Sequence, residues 1–183
     1  MSKHAPHSLQ DDTRQGASMV PWVPGPVWGQ VHLSLQHLCT RHQAPLDAAR
    51  HTARDMQSCL ETLFPLLDSL CSQTCPACQT PCCHVATVWF DFKDLVFMHL
   101  GGLPLATGQL TRTPEGTCSC CGPTGCRLPR LSRPWTCTWY LCPTQKNLLA
   151  GMPGNTLARF ETAVAAIKRL RQQLEAEFIG ITS

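Results

Sequence analysis

The residues best equipped for chemistry in this chain are its thiols, which fall into two dense clusters. The first reads Cys71-x3-Cys75-x2-Cys78-x3-Cys82-Cys83-His84; the second reads Cys118-x-Cys120-Cys121-x4-Cys126 and is followed by Cys137-x4-Cys142. Two further cysteines, Cys39 and Cys59, stand apart, making thirteen in 183 residues. A Cys-x2-Cys step lets both thiolates face one ion without straining the turn between them, and soft thiolates select zinc or iron–sulfur chemistry over magnesium or calcium. Neither cluster is a zinc-finger pattern, because no histidine pair follows at finger spacing. The adjacent Cys82 and Cys83 cannot easily both point at one tetrahedral centre. Either they serve different metal atoms, or one ligates while the other is buried or reactive, and the same choice holds for Cys120 and Cys121. Cys39, Cys59 and Cys71 read equally well as small buried hydrophobes, Cys71 because it adjoins Leu70 on the apolar side of a helix end.

The competing use of so many cysteines is a secreted disulfide framework. The opening residues, MSKHAPHSLQDDTRQ, contain no apolar run that would serve as a signal peptide. The cysteine number is odd, and the adjacent pairs are awkward disulfide partners. Reduced thiols in a cytoplasmic protein are the expectation. No stretch approaches the ~20 apolar residues of a membrane helix. A net charge of +3, from 15 basic and 12 acidic residues, is too weak a bias to argue for nucleic acid or a membrane surface as partner. The chain is long enough to bury a core without disulfides.

Cys75-x2-Cys78-x3-Cys82-Cys83, then a strand and a short helix, then Gly125-Cys126 and Arg133-Pro134-x2-Cys137-x4-Cys142, resembles the YkgJ-type family. That is a zinc- or iron-chelating domain family related to the flagellin lysine N-methylases. The likeness spans about Cys75 to Cys142, under half of the chain. It departs from the family pattern in one extra residue between Cys126 and Arg133, in two choices, Cys118 or Cys120, for the cysteine ahead of Gly-Cys (the spacing favours Cys118), and in Cys71 and Cys121, which have no counterpart. The resemblance implies metal or cluster binding and hands over no reaction. With the spacing, it makes Cys75, Cys78, Cys82, Cys83, Cys118, Cys126, Cys137 and Cys142 the candidate ligands, enough for two four-cysteine sites or for one site plus reactive thiols. An iron–sulfur cluster is slightly preferred to zinc, since cysteine far outnumbers histidine in these clusters and a doublet suits a multi-metal centre.

Arg127, Arg130 and Arg133 follow Cys126 at three-residue intervals. Guanidinium groups there would offset the negative charge of a thiolate-bound centre or simply meet solvent, with an anionic substrate as the less favoured use. Trp135, Trp139 and Tyr140 would shield a cluster from water or pack in the core. His84 and His99 read first as hydrogen-bonded structural residues and second as ligands. There is no dinucleotide-binding glycine motif, phosphate loop or His-Glu-x2-His. Cys71, Cys75 and Cys78 match the Cys-x3-Cys-x2-Cys spacing of radical S-adenosylmethionine clusters, but the chain is too short for the barrel that usually surrounds it.

These residues need a scaffold, and the flanking segments supply one. Leu46, Ala49, Ala53, Met56, Leu60, Leu63, Leu67 and Leu70 recur at three- and four-residue steps, which predicts an amphipathic helix from about Pro45 to Leu70. Pro65 inside it is expected to kink or restart the helix. A shorter helix precedes it, around Val31 to His42. Leu157, Phe160, Val164, Ile167, Leu174 and Phe178 mark a second long helix over about 155–179, N-capped by Asn155, its stripe broken at Arg171 with Leu170 alongside. Between them, Val85 to Phe92 reads as a short strand. Asp91 then caps a short helix with Asp94 in its first turn, ended by Gly101 and Gly102. Residues 1–29 read as a Pro/Gly-rich arm whose Trp22, Val23, Val27 and Trp28 dock in part on the body.

The expectation is therefore a mainly α fold: two long amphipathic helices around an irregular, cysteine-rich metal-binding insert, in a single domain over 30–183. Its function would be metal binding with a redox or protein-modification role and an unspecified protein or redox partner. The alternatives are a structural zinc module for protein–protein contact, or a cluster-dependent enzyme modifying a protein or peptide side chain.

Overall fold

The computed structural model describes residues 25–122 and 125–183; the Trp22 and Val23 expectations lie outside them. The helices are α1 (Gly25–Arg41), α2 (Asp47–Thr74), α3 (Cys82–Val85), α4 (Phe92–Leu100), α5 (Trp135–Trp139), α6 (Pro143–Ala150) and α7 (Thr156–Thr182), with a two-stranded ribbon of β1 (Cys121–Gly122) and β2 (Gly125–Cys126). The fold is mainly α, and the long helices α2 and α7 pack against each other with α4 and α6 alongside.

The α2 stripe is buried as its periodicity requires: Ala49, Ala53, Met56, Leu60, Leu63, Leu67 and Leu70 all face the core. The helix does not restart at Pro65. Pro65 is exposed, as is Glu61 one turn earlier, so the carbonyl that loses its helical donor can turn to water. In α7, Phe160, Val164, Ile167, Leu174 and Phe178 are buried. Asn155 precedes α7 but does not cap it through its side chain. Its backbone is left-handed (φ 53°), an arrangement that turns the side chain from the orphan N–H groups, and its carbonyl instead receives Arg159 N–H.

α1 begins at Gly25, inside the segment expected to be an arm. Trp28 is the residue that docks: 4% exposed, its indole N–H donates to Ala106 O (3.0 Å) and its ring lies 6.0 Å from Phe90. Val27, by contrast, is exposed.

The strand expected over Val85–Phe92 does not form. Cys82–Val85 make a turn of helix, and the chain then runs without ladder pairing to Asp91. Where a neighbouring strand would pair with Phe90, the Gln109 side chain substitutes: its Oε1 accepts from Phe90 N–H (2.7 Å) and its Nε2 donates to Phe90 O (3.0 Å). Asp91 does cap α4, in a reciprocal box with Asp94, and Gly101 and Gly102 (φ +63°) end it.

Candidate metal centre

Six segments carry the candidate ligands, and main-chain bonds bring several together. α2 ends at Cys75, and Cys78 N–H closes a turn onto Cys75 O (3.2 Å). α3 presents the Cys82–Cys83 doublet. A hairpin built on the Arg112–Cys118 bridge follows, with Ser119 N–H donating to Thr111 O and Thr113 N–H to Thr117 O. Cys118 N–H then donates to Cys83 O (2.8 Å), setting the hairpin directly against the doublet. The ribbon places Cys121 opposite Cys126, and Arg127 N–H donates to Cys120 O. Cys137 lies within α5, and Cys142 caps α6.

All thirteen cysteines are free thiols; Cys118 is buried, Cys78 and Cys82 are exposed, and the rest are half-buried. Their mutual influence maps the neighbourhood. Cys83 donates its S–H to Cys82, which lowers Cys82 to about 6 and raises Cys83, with burial and the nearby Cys121 and Cys118 adding to the rise. Burial first, then Cys126, Cys118 and Cys82, push Cys137 up to about 12. Burial, then Cys71 and the more distant Cys82, raise Cys75 to about 11. Cys82, Cys83, Cys118, Cys120, Cys121, Cys126 and Cys137 thus share one neighbourhood, with Cys75 at its border. Cys78 stands on the exposed turn beyond it. The Cys142 sulfur accepts from Gln145 N–H as a helix cap.

No three His, Cys, Asp or Glu side chains among the described residues converge closely enough to hold an ion as they stand. The donor chemistry nonetheless suits a soft cation. The neighbourhood is built of sulfur, and it opposes loss of more than one proton because each thiolate raises the next. A bound cation reverses that penalty.

The arginines expected to offset ligand charge instead hold the loops. Arg127 donates to Ser119 O, and Arg133 to Leu128 O (2.9 Å) and Cys126 O (3.3 Å). Arg130 bonds Asp68 on α2 (2.7 Å through Nε) and reaches the Cys71 sulfur at 3.7 Å. Gln145 Nε2 contacts the same sulfur at 3.7 Å, so Cys71 is a half-buried acceptor joining α2, α6 and the insert rather than an inert apolar filler. The tryptophans turn to α7: Trp139 lies under Lys168 Nζ (5.0 Å) and Trp135 beside the Arg171 guanidinium (5.5 Å). His84 is exposed. His99 pairs with His32 on α1 (His99 Nε2 to His32 Nδ1, 2.9 Å).

Two positioning groups were not singled out from the sequence. Arg112 donates to His84 O, Val85 O (2.8 Å) and Gly116 O (2.7 Å), locking the hairpin to α3. Arg171, 4% exposed, donates to Asp94 Oδ1 (2.6 Å) and to both Asp91 oxygens (2.8 and 2.9 Å), and Asp94 Oδ1 also accepts from Trp135 N–H (3.1 Å). This network fastens α7 to the starts of α4 and α5, and so places the helix that carries Cys137. Arg112 leaves no signal in the sequence. Arg171 leaves one, a cation on a core register, which calls for a buried acid.

Among the described residues no helix is long and apolar enough to cross a membrane. Compared with models of known protein families, with curated proteins and with solved structures, the chain matches none.

Proposed function

We propose that this chain is a metal-binding protein of a reducing compartment such as the cytoplasm. In this reading Cys82, Cys83, Cys118, Cys126 and Cys137 hold an iron–sulfur cluster, with Cys75, Cys78 and Cys142 available to complete a second set. The observation that carries it is main-chain: the Cys118-to-Cys83 hydrogen bond joins two distant cysteine-bearing segments, and the local Cys121–Cys126 pairing adds a third thiol-bearing turn beside them, with all the thiols free. Loops that converge on sulfur alone are the preparation for a soft metal. A cluster there would serve electron transfer, redox sensing or a side-chain modification.

A second reading, a structural zinc ion, has its own support. The insert holds only two residues per strand and depends on arginine-to-carbonyl bonds, so a metal would supply the cross-links that a short sheet does not.

The test is iron, zinc and acid-labile sulfide per chain on protein purified without air, together with its visible spectrum. Brown protein with near-equal iron and sulfide, lost in Cys118→Ser, is the expected result. Colourless protein with stoichiometric zinc, also lost in Cys118→Ser, selects the structural reading. Protein that takes up neither metal overturns both.

A further inference from the structure

The proposed ligand set leaves out one thiol of the first cysteine run, Cys71, yet two nitrogen donors point at its sulfur. Arg130 Nη2 and Gln145 Nε2 each approach it at 3.7 Å. Both donors are held in place. The guanidinium is aligned by Asp68, which accepts from its Nε and Nη2, and its side chain is only 12% exposed. Gln145 is 6% exposed; its Oε1 accepts from Cys142 N–H (3.4 Å), which turns its Nε2 towards Cys71 and Thr74. A neutral thiol is a weak acceptor. A buried amide and a cation aimed at one sulfur suit a sulfur that carries negative charge, as a metal-bound thiolate does.

The same sulfur has a thiol neighbour. Cys75 follows Cys71 by four residues at the end of α2, one turn on along the same face, and its S–H donates to the Cys71 sulfur. Two thiols at that spacing on a formed helix make a chelating pair, because the helix fixes both backbones before an ion arrives. Cys78 N–H closes the next turn onto Cys75 O (3.2 Å). From the other side, the Gln145 amide links the main chain of Cys142 to the Cys71 sulfur. Cys75, Cys78 and Cys142 alone are one thiol short of a tetrahedral set, and Cys71 completes it. A dication held by four thiolates carries net negative charge, which the Arg130 guanidinium offsets.

We propose that Cys71, Cys75, Cys78 and Cys142 form a zinc site of their own, separate from the thiols around Cys118, with Arg130 and Gln145 donating to its sulfur. The Cys78 and Cys142 thiols rotate inward from backbones already held beside the Cys71–Cys75 pair. A closed four-thiolate site leaves no position for a substrate, so its role is structural: it clamps the end of α2 to the start of α6 and to the turn that carries Arg130. The inference rests on the thiols being metal ligands, and not on which metal the Cys118 group takes.

The test compares the full chain with its Cys71→Ser and Cys118→Ser variants, all purified without air, by metal content and by thiol labelling. Cys71→Ser is expected to lose about one zinc per chain and to keep what the Cys118 group binds, and Cys118→Ser to do the reverse. In the unaltered chain, zinc is expected to slow iodoacetamide labelling of Cys71, Cys75, Cys78 and Cys142 by about tenfold or more, and a chelator to restore it. Cys39 and Cys59 should label at the same rate in both states. Labelling needs no variant, so it decides the matter even where Cys71→Ser fails to fold. A Cys71 labelling rate that zinc does not change overturns the proposal, as does a Cys71→Ser protein with the circular dichroism spectrum and the zinc content of the parent. Metal lost in Cys118→Ser alone would leave the Cys118 centre standing and remove this one. Zinc lost in Cys71→Ser alone would establish this site and remove the Cys118 centre.

Discussion

The helical frame and the cysteine-bearing insert are held together by different physics. In the frame, α2 buries an apolar stripe and α7 buries one interrupted by Arg171, whose ionic network with buried Asp94 and half-exposed Asp91 crosses between α7 and the α4–α5 region. In the insert, apolar burial is slight. The segments are tied instead by single side chains reaching carbonyls: Arg112 to α3, Arg133 to Leu128 and Cys126, Arg127 to Ser119, Gln109 to Phe90. Burial of a stripe is cooperative, each residue excluding water from the next, whereas polar ties facing solvent contribute little each. A ligand therefore has most leverage in the insert, where a bound metal would stabilise loops that little else stabilises.

Metal removal should separate the two regions most clearly. If the thiols hold one, stripping it with a strong chelator is expected to raise amide hydrogen exchange in residues 75–90 and 111–142 by about a hundredfold or more, while the α2 and α7 cores change by less than about threefold. Equal loosening of both regions would show that the frame depends on the metal too.

Within the frame, Arg171→Met leaves the buried Asp94 carboxylate without its cation, while the more exposed Asp91 can turn to solvent. It is expected to cost about 3–5 kcal/mol in urea unfolding. Because α5 is placed by the same network, any metal held through Cys137 should bind less completely as well. A loss under about 1 kcal/mol would mean that Asp94 simply takes up a proton, which its burial, raising it to about 6, already favours.

A smaller effect is expected at the boundary between the regions. Gln109→Ala removes both hydrogen bonds to Phe90 and should cost about 1–3 kcal/mol. The sign of its effect on the α2–α7 pair decides whether the boundary is shared: exchange confined to residues 86–110 keeps the regions separate.

The smallest effect is a pH dependence at the α1–α4 contact. Burial lowers both His32 and His99 below 6.5, and His32 lowers His99 further. A depressed histidine means the unfolded chain binds the proton more readily, so this contribution is present above about pH 6.5 and is lost as pH falls. Asp94, raised by burial to about 6, acts with the opposite sign, favouring the folded state as it takes up a proton below that value. The measurement is therefore a difference: the double variant His32→Gln, His99→Gln should lose less stability than the parent between pH 7 and pH 5. Parallel curves would remove the pair from the account.

Much of the frame was legible because its signals are periodic. The buried positions of α2 and α7 are the positions their steps of three and four select, and the Asp91–Asp94 cap was readable because a helix start has local chemistry. The restart at Pro65 failed to appear because exposure settles what a proline costs, and exposure belongs to the fold. Asn155 stands at the N-cap position as the sequence suggests, but without a side-chain capping bond, because its φ is positive, which residue type alone does not decide. Val85–Phe92 had the composition of a strand, but a strand exists only with a partner, and the side chain of Gln109, nineteen positions from Phe90, takes part of that place.

For the candidate site the division is similar. The number and spacing of the cysteines, and hence sulfur as the donor chemistry, come from the sequence alone, because ligand softness is a property of the residue. Which thiols become neighbours was decided by tertiary structure: by the Cys118-to-Cys83 bond, by the Cys121–Cys126 pairing, and by an arginine on α7 that fixes the helix bearing Cys137. Apart from the local Cys121–Cys126 pairing, those choices depend on hydrogen bonds between segments tens of residues apart, whose distances are set by the packed helices.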